Sequence, residues 1–184
     1  AASAAKRAIK NVALAYLALT ELAPMTFAQY QSADNLTDRM SALVTLVQNE
    51  RPEAQEALDL FFRRYENDDL VLNKWFAVQA GSPSKNVLEK VKELTKHPKF
   101  DYKNPNKVRA LIGAFAGNMA AFNKADGSGY RFVAEQIMIV DKLNPHLAGR
   151  MFTAFAKYKR FAPAIQEQAK TVLNEVYADK TLSD

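Results

Sequence analysis

The sequence NPNKVRALIGAFAG occupies residues 104–117 and returns in part forty residues later. Asn144 and Pro145 begin the second copy, and five of the fourteen positions match, including a shared Ala-Phe-Ala run. Arg109 and Arg150 occupy neighbouring places in the two copies. A recurrence of this length is typical of stacked helix pairs of the HEAT or armadillo kind. It predicts an α-solenoid, a fold that usually binds or covers a partner.

Apolar residues recur every three or four positions along most of the chain, as in helices with one buried face. Only six of the 184 residues are glycine, and no stretch alternates with a period of two, so strands are not expected. We predict an all-α fold of stacked antiparallel helix pairs, forming a single domain over residues 1–184. About nine helices are expected, with short extra ones near Phe27 and Met119.

The prolines stand where helices should begin or end. Pro105 and Pro145 follow Asn104 and Asn144, whose side chains can accept hydrogen bonds from the free N–H groups of a first helical turn. Pro24 follows a helical stretch and is predicted to end it. Two helices are therefore expected to begin at the two copies of the Asn-Pro pair.

Residues 126–130, Asp-Gly-Ser-Gly-Tyr, predict a tight turn that leads into the next helix. A Gly-rich loop before a helix can also bind an anion. Here no strand precedes the loop and no Lys-Ser or Lys-Thr pair follows it, so a phosphate site is disfavoured.

The composition excludes several classes of protein. The net charge of +5 is concentrated in residues 67–184, but many of the lysines there alternate with glutamates at helical spacing, which is typical of a solvated face. We therefore expect no nucleic-acid partner. No apolar run is long enough to span a bilayer, so no membrane association is expected. The chain has no cysteine, which is typical of a reducing compartment, and we expect a cytoplasmic location.

The residues that usually carry catalysis are missing from this sequence. His97 and His146 share no metal-ligand spacing, and neither an HExxH nor a GxSxG motif occurs. We expect no catalytic residue, no metal site and no cofactor in this chain. His97 stands before Pro98 at a helix end, where capping or exposure is expected.

Arg109 and Arg150 admit two interpretations. Their stems can pack along a helix while the guanidinium groups stay in solvent or in salt bridges. Alternatively, the two cations line one concave surface, because equivalent helices of a solenoid are parallel and adjacent. A guanidinium suits that role because its planar fork pairs with a carboxylate through two hydrogen bonds.

Four separate blocks of the chain resemble the C-terminal helical domain of bacterial aminopeptidase N. They are residues 69–76, 104–115, 126–130 and 144–145, and a weaker match extends over residues 5–66. The resemblance implies a chain excised from the C-terminus of a longer enzyme, a zinc metallopeptidase that removes N-terminal residues from peptides. In that family the zinc and the catalytic glutamates lie on an earlier domain, so zinc is expected only in the parent enzyme.

The resemblance also implies a site in this chain. The family's terminal domain is an α-solenoid that closes over the catalytic domain and leaves an internal chamber for peptides. Two arginines of this domain lie near the substrate, and by motif they correspond to Arg109 and Arg150. His146 is expected to face the same chamber, although relatives often carry a polar residue such as glutamine there. The implied partners are the catalytic domain of the same polypeptide and the peptide substrates.

Two functions therefore compete, a non-catalytic cap that gates substrate access and a free-standing helical-repeat scaffold for protein partners. A cap should expose a wide surface where the catalytic domain docks. A free scaffold should have polar faces on both terminal repeats. The apolar stripe of Ile9, Val12 and Tyr16 at the start of the chain favours the cap.

Overall fold

The structure is a computed structural model that describes residues 2–179 and 182–183. Within these residues every regular element is a helix and no strand occurs, which confirms the all-α prediction. The chain divides into two compact units, Ala1–Ser84 and Lys85–Asp184.

The first unit is arranged around one central helix. Its helices are α1 (Ala2–Leu17), α2 (Pro24–Ser32), α3 (Leu36–Gln48), α4 (Ala54–Tyr65) and α5 (Asp69–Ala80). Helix α3 packs against all four others, and its residues Ala42, Leu43 and Leu46 are fully buried. Burial of these apolar side chains is the main stabilising contribution in the unit.

Local capping explains where the helices of the first unit begin. Asn35 accepts a hydrogen bond from the Asp38 N–H (2.9 Å), and Asp68 accepts bonds from the next helix in the same way. The prediction for Pro24 is wrong, because α1 ends at Leu17 and Pro24 begins α2. The fixed φ of proline suits a first helical turn, where its missing N–H costs no hydrogen bond.

Helix α1 leaves an apolar face uncovered in this chain. Ile9, Val12 and Tyr16 of this helix, together with Leu19 in the turn that follows it, are between 58% and 72% exposed. The side that packs on α2 and α3 is narrower and includes Leu14, which is buried. The periodicity that predicted this helix therefore marks its exposed face rather than its core face.

The second unit contains seven α-helices and two irregular helical segments among its described residues. They are α6 (Val87–Leu94), α7 (Pro105–Val108), a π segment (Arg109–Gly113), α8 (Ala114–Gly117), α9 (Met119–Phe122), α10 (Ser128–Asp141), α11 (Pro145–Met151), a 3-10 segment (Phe152–Arg160) and α12 (Pro163–Ala178). Helix α10 packs against α9, α11 and α12, and α6 packs against the π segment. The short helices α2 and α9 lie where the sequence predicted extra ones.

The turn before α10 has the predicted form. Gly127 adopts a positive φ of 71°, and the Asp126 carboxylate accepts hydrogen bonds from the N–H (2.9 Å) and hydroxyl (2.6 Å) of Ser128. These two bonds from Ser128, with a smaller contribution from Lys124, lower the pKa of Asp126 to about 2. The Asp126 carboxylate thus lies at the start of α10, where a bound anion would otherwise be attracted. This agrees with the prediction that the loop is not a phosphate site.

Candidate functional site

The first Asn-Pro pair starts a short helix that presents Arg109 to solvent. Asn104 accepts a hydrogen bond from the N–H of Asn106 (3.0 Å), and Pro105 occupies the first helical turn. The Asn106 side chain in turn accepts a bond from the Arg109 guanidinium (3.3 Å). Val108 next to it is fully buried. The motif therefore fixes the helix start, the core contact and the direction of the arginine together.

The second Asn-Pro pair repeats this arrangement for Arg150. Asn144 accepts a hydrogen bond from the Leu147 N–H (3.0 Å), and Pro145 begins α11. Leu147 is buried, whereas His146 and Arg150 are exposed. Arg150 thus lies within the helix that its Asn-Pro pair begins, and Arg109 lies directly after the corresponding helix α7.

The two copies differ in the position of the arginine and in the geometry of the helix that follows it. Six positions separate Arg109 from Phe115, but five separate Arg150 from Phe155. A π turn contains more residues than an α turn, whereas a 3-10 turn contains fewer. The π segment begins at Arg109 in the first copy, and the 3-10 segment follows α11 from Phe152 in the second. Phe115 and Phe155 are both buried.

Arg109 and Arg150 line two depressions of the second unit. The first, here called the polar groove, has a volume of ≈ 730 Å³ and is lined by Pro105, Arg109, Asn144, Pro145, His146, Leu147, Gly149, Arg150 and Thr153. The second, here called the apolar pocket, has a volume of ≈ 320 Å³ and is lined by Arg109, Ile112, Gly113, Ala116, Gly117, Val133, Leu147, Arg150, Met151, Thr153 and Ala154.

The electrostatic character of both depressions is set by the arginines. Among the residues that the structure describes, none that lines either depression is acidic. The guanidinium of Arg109 contacts the neutral amide of Asn106. Two fixed positive charges without an acidic neighbour in the lining favour an anionic ligand, and a carboxylate matches their planar donor geometry.

The structure brings the three residues predicted from the sequence to one place. Arg109, His146 and Arg150 all line the polar groove, and the two arginines also line the apolar pocket. Their role in substrate binding stays a prediction. The sequence analysis missed the apolar pocket, whose wall includes Val133 from α10. The small residues Gly113 and Gly117 in the first copy were the available signal.

His97 lies outside both depressions and caps a turn. Its Nδ1 accepts a hydrogen bond from the Lys99 N–H (3.1 Å). Burial lowers the pKa of His97, and the positive charges of Lys99, Lys107 and Lys90 lower it further. The ring nitrogen is therefore held in its neutral, accepting form, as a capping role requires.

The described residues do not fit a zinc ion. Among residues 2–179 and 182–183, no three or more His, Cys, Asp or Glu side chains are grouped so as to hold a metal. No step that involves zinc is therefore assigned to this chain. In the same part of the chain, none of the helices combines the length and apolar character needed to cross a membrane.

Comparison with known proteins identifies the family. Residues 1–184 match the family described as "Domain of unknown function (DUF3458_C) ARM repeats". The chain belongs to this family. The match confirms the armadillo-like class that the internal recurrence predicted.

The similar proteins are aminopeptidases. Aminopeptidase N of Escherichia coli (strain K12) is 38% identical over 183 residues, covering 97% of this chain and 21% of that protein. Aminopeptidase N of Haemophilus influenzae is 35% identical over 181 residues, with the same two coverages. The crystal structure of Legionella pneumophila aminopeptidase A in complex with aspartic acid superposes with a TM-score of 0.90 at 33% identity, covering 95% of this chain and 21% of that one.

These matches confirm the resemblance noted in the sequence. The DUF3458_C chain is homologous to the C-terminal region of aminopeptidase N. It spans about a fifth of the length of the relatives that it matches.

Proposed function

We propose that this DUF3458_C chain is the non-catalytic C-terminal domain of a zinc-dependent aminopeptidase N. In this role it caps the catalytic domain of the same polypeptide and gates the access of peptides. Arg109, His146 and Arg150 face the substrate chamber, and the zinc belongs to the catalytic domain. The cytoplasmic location stays a prediction.

The observation that carries this proposal is the shared position of the two arginines. Arg109 and Arg150 come from different helical segments, yet both line the polar groove and the apolar pocket, and no described residue of either lining is acidic. The surrounding unit, residues 85–184, holds seventeen Lys and Arg against ten Asp and Glu. Such a surface attracts the C-terminal carboxylate of a peptide, and each guanidinium can bind it through two hydrogen bonds.

His146 adds a polar group to the same groove. Its exposed ring lies on α11, four residues before Arg150 in the sequence. Residues four apart on a helix are neighbours on its surface. An imidazole can donate or accept a hydrogen bond, so it suits the peptide backbone next to the bound carboxylate.

The uncovered face of α1 supports the capping role. Ile9, Val12, Tyr16 and Leu19 form one apolar stripe at the edge of the first unit. Contiguous exposed apolar residues on a globular protein mark a docking surface, whereas the end repeat of a free scaffold carries a polar face. We propose that this stripe contacts another part of the same polypeptide.

The role of the arginines can be tested in the intact enzyme that contains this chain. Alanyl peptides with a free C-terminal carboxylate are compared with the same peptides as C-terminal amides. We expect Arg109→Ala and Arg150→Ala each to lower kcat/KM for the free carboxylate by about tenfold or more, the effect of losing a charge-assisted hydrogen bond. Both variants should cleave the C-terminal amides at the same rate as the unaltered enzyme does.

The matched control is Arg63→Ala, which removes an exposed arginine from α4 in the first unit. It should leave the ratio between carboxylate and amide unchanged. The proposal is wrong if the arginine variants affect the two peptide forms equally, or if neither form is affected.

A further inference from the structure

The apolar pocket and the polar groove share four lining residues and differ in the others. Arg109, Leu147, Arg150 and Thr153 line both. Beyond these, the polar groove continues past His146, whereas the pocket continues past the hydrocarbon side chains of Ile112, Val133 and Met151. The arginines therefore lie where the polar groove and the apolar pocket meet.

A ligand that complements both features carries a carboxylate next to an apolar group. In a peptide, only the C-terminal residue has its side chain and a free carboxylate on the same carbon. The pocket volume of ≈ 320 Å³ is at the lower end of the range for small-molecule sites, which is about 300–1,000 Å³. It is large enough to hold one apolar side chain.

We propose that the apolar pocket binds the C-terminal side chain of a peptide substrate while Arg109 and Arg150 hold the adjacent carboxylate. The preferred substrates are then short peptides with an apolar C-terminal residue, and the rest of the peptide leaves through the polar groove. This inference rests on the proposed function and adds a substrate class to it.

Gly117 offers a way to fill the pocket without disturbing the helix. A Cβ built on Gly117 meets no atom within 4 Å, and its backbone φ is not positive. A leucine at this position therefore has room, and because Gly117 lines the pocket we expect the new side chain to enter it. Ala156 provides the control, because it is exposed and lines neither depression.

The experiment measures KM in the intact enzyme with peptides that share an N-terminal alanine and end in Leu, Phe, Ser or Gly. The shared N-terminus keeps the reacting end constant, and peptides of increasing length find the one that reaches the arginines. At that length we expect the Leu and Phe peptides to have a KM about tenfold below that of the Gly peptide, as an apolar side-chain pocket provides.

The variants locate this preference. Gly117→Leu should reduce the KM ratio between Gly and Leu peptides to near one, whereas Ala156→Leu should keep the ratio of the unaltered enzyme. If Gly117→Leu does not fold, the unaltered enzyme still tests the inference. The inference is overturned if the KM of the unaltered enzyme does not depend on the terminal side chain at any peptide length. A preference that survives in folded Gly117→Leu overturns it as well.

Further comparisons separate the possible failures. If C-terminal amides and free carboxylates are cleaved alike, the proposed function fails and this inference fails with it. If the carboxylate is preferred but the terminal side chain has no effect, only the pocket assignment is wrong. Free leucine carries the same two groups. Suppose that free leucine inhibits the enzyme, that Gly117→Leu relieves this inhibition, and that peptides show no preference for their terminal side chain. The pocket then binds a free amino acid, and its assignment to peptides is overturned.

Discussion

Gly129 lies at the start of α10, where the backbone of α9 comes very close. A Cβ at this position would lie 2.4 Å from the Phe122 carbonyl oxygen and 2.5 Å from that of Ala121. Backbone atoms cannot yield as a flexible side chain can, so we expect Gly129→Ala to lower the free energy of unfolding by about 1–3 kcal/mol. Chemical denaturation measures this change.

Gly149→Ala is the matched control for that prediction. Gly149 also lies in a helix, but a Cβ there meets no atom within 4 Å. Alanine is the better helix former, so this variant should be neutral or stabilised by up to about 1 kcal/mol. Equal effects of the two substitutions would contradict the close approach described at Gly129.

Asp38 is a buried carboxylate that links α1 to the start of α3. It pairs with Lys10 and accepts hydrogen bonds from Asn11 (3.1 Å) and Asn35 (3.2 Å). Burial raises the pKa of Asp38, but the side-chain bonds from Lys10, Asn35 and Asn11, with the charge of Lys10, outweigh burial and lower the pKa overall. The ionised form therefore stabilises the folded state.

The sign of the pH dependence follows from the lowered pKa. The stability contributed by Asp38 is fully present above the unfolded carboxyl pKa of about 3.9, and it is lost as the pH falls through the lower folded value. We expect Asp38→Asn to cost about 1–3 kcal/mol at neutral pH. Urea denaturation at several pH values should show that the free energy of unfolding of Asp38→Asn falls less steeply below about pH 5 than that of the unaltered protein. An unchanged acid slope would contradict this role.

At the residue scale, sequence reasoning succeeded where the cause was local. The caps at Asn104 and Asn144 involve hydrogen bonds within three residues, and both were predicted. The buried role of Asp38 was not, because Lys10 is 28 positions away. The restriction at Gly129 depends in the same way on where α9 packs, which no local pattern indicates.

At the scale of elements, the π segment is the feature that distinguishes the first copy from the second. Deletion of Ala110 would leave five positions between Arg109 and Phe115, as in the second copy. Because an ordinary α turn then covers the same rotation, we expect the variant to fold with Phe115 still buried, at a cost of about 1–3 kcal/mol. Circular dichroism and chemical denaturation check this.

Deletion of Glu135 is the control for the π segment. Glu135 is an exposed residue within the regular helix α10. Removing it rotates all later residues by about 100°, which moves buried positions such as Ile137 away from the core. This variant should lose its cooperative unfolding transition. If both deletions were equally damaging, the π segment would not be accommodating one extra residue in its helix.

The elements themselves were largely predictable because helix periodicity is a local signal. The run of Val108, Leu111, Ile112 and Phe115 predicted one helix, and all four are buried. Its division by the π segment was not predicted, because the spacing of these four residues fits an ordinary α-helix.

At the scale of the whole molecule, apolar periodicity identified the helices but did not show what each apolar helix face packs against. The stripe of Ile9, Val12 and Tyr16 is as apolar as a core stripe, yet it is exposed in this chain. The contact proposed for this face rests on homology to a protein about five times as long. The apolar pocket was likewise beyond the sequence, because it joins Val133 to the small residues of the two copies.

The central claim is that this chain is a non-catalytic part of an aminopeptidase, and one measurement tests it most directly. Hydrolysis of a chromogenic alanyl substrate is compared for this chain alone, for the remaining polypeptide alone, for their mixture and for the intact enzyme. We predict no activity from this chain, and a gain in activity or thermal stability when it is added to the remaining polypeptide. Activity from this chain by itself would contradict the account, and the absence of any effect on mixing would favour a free-standing scaffold.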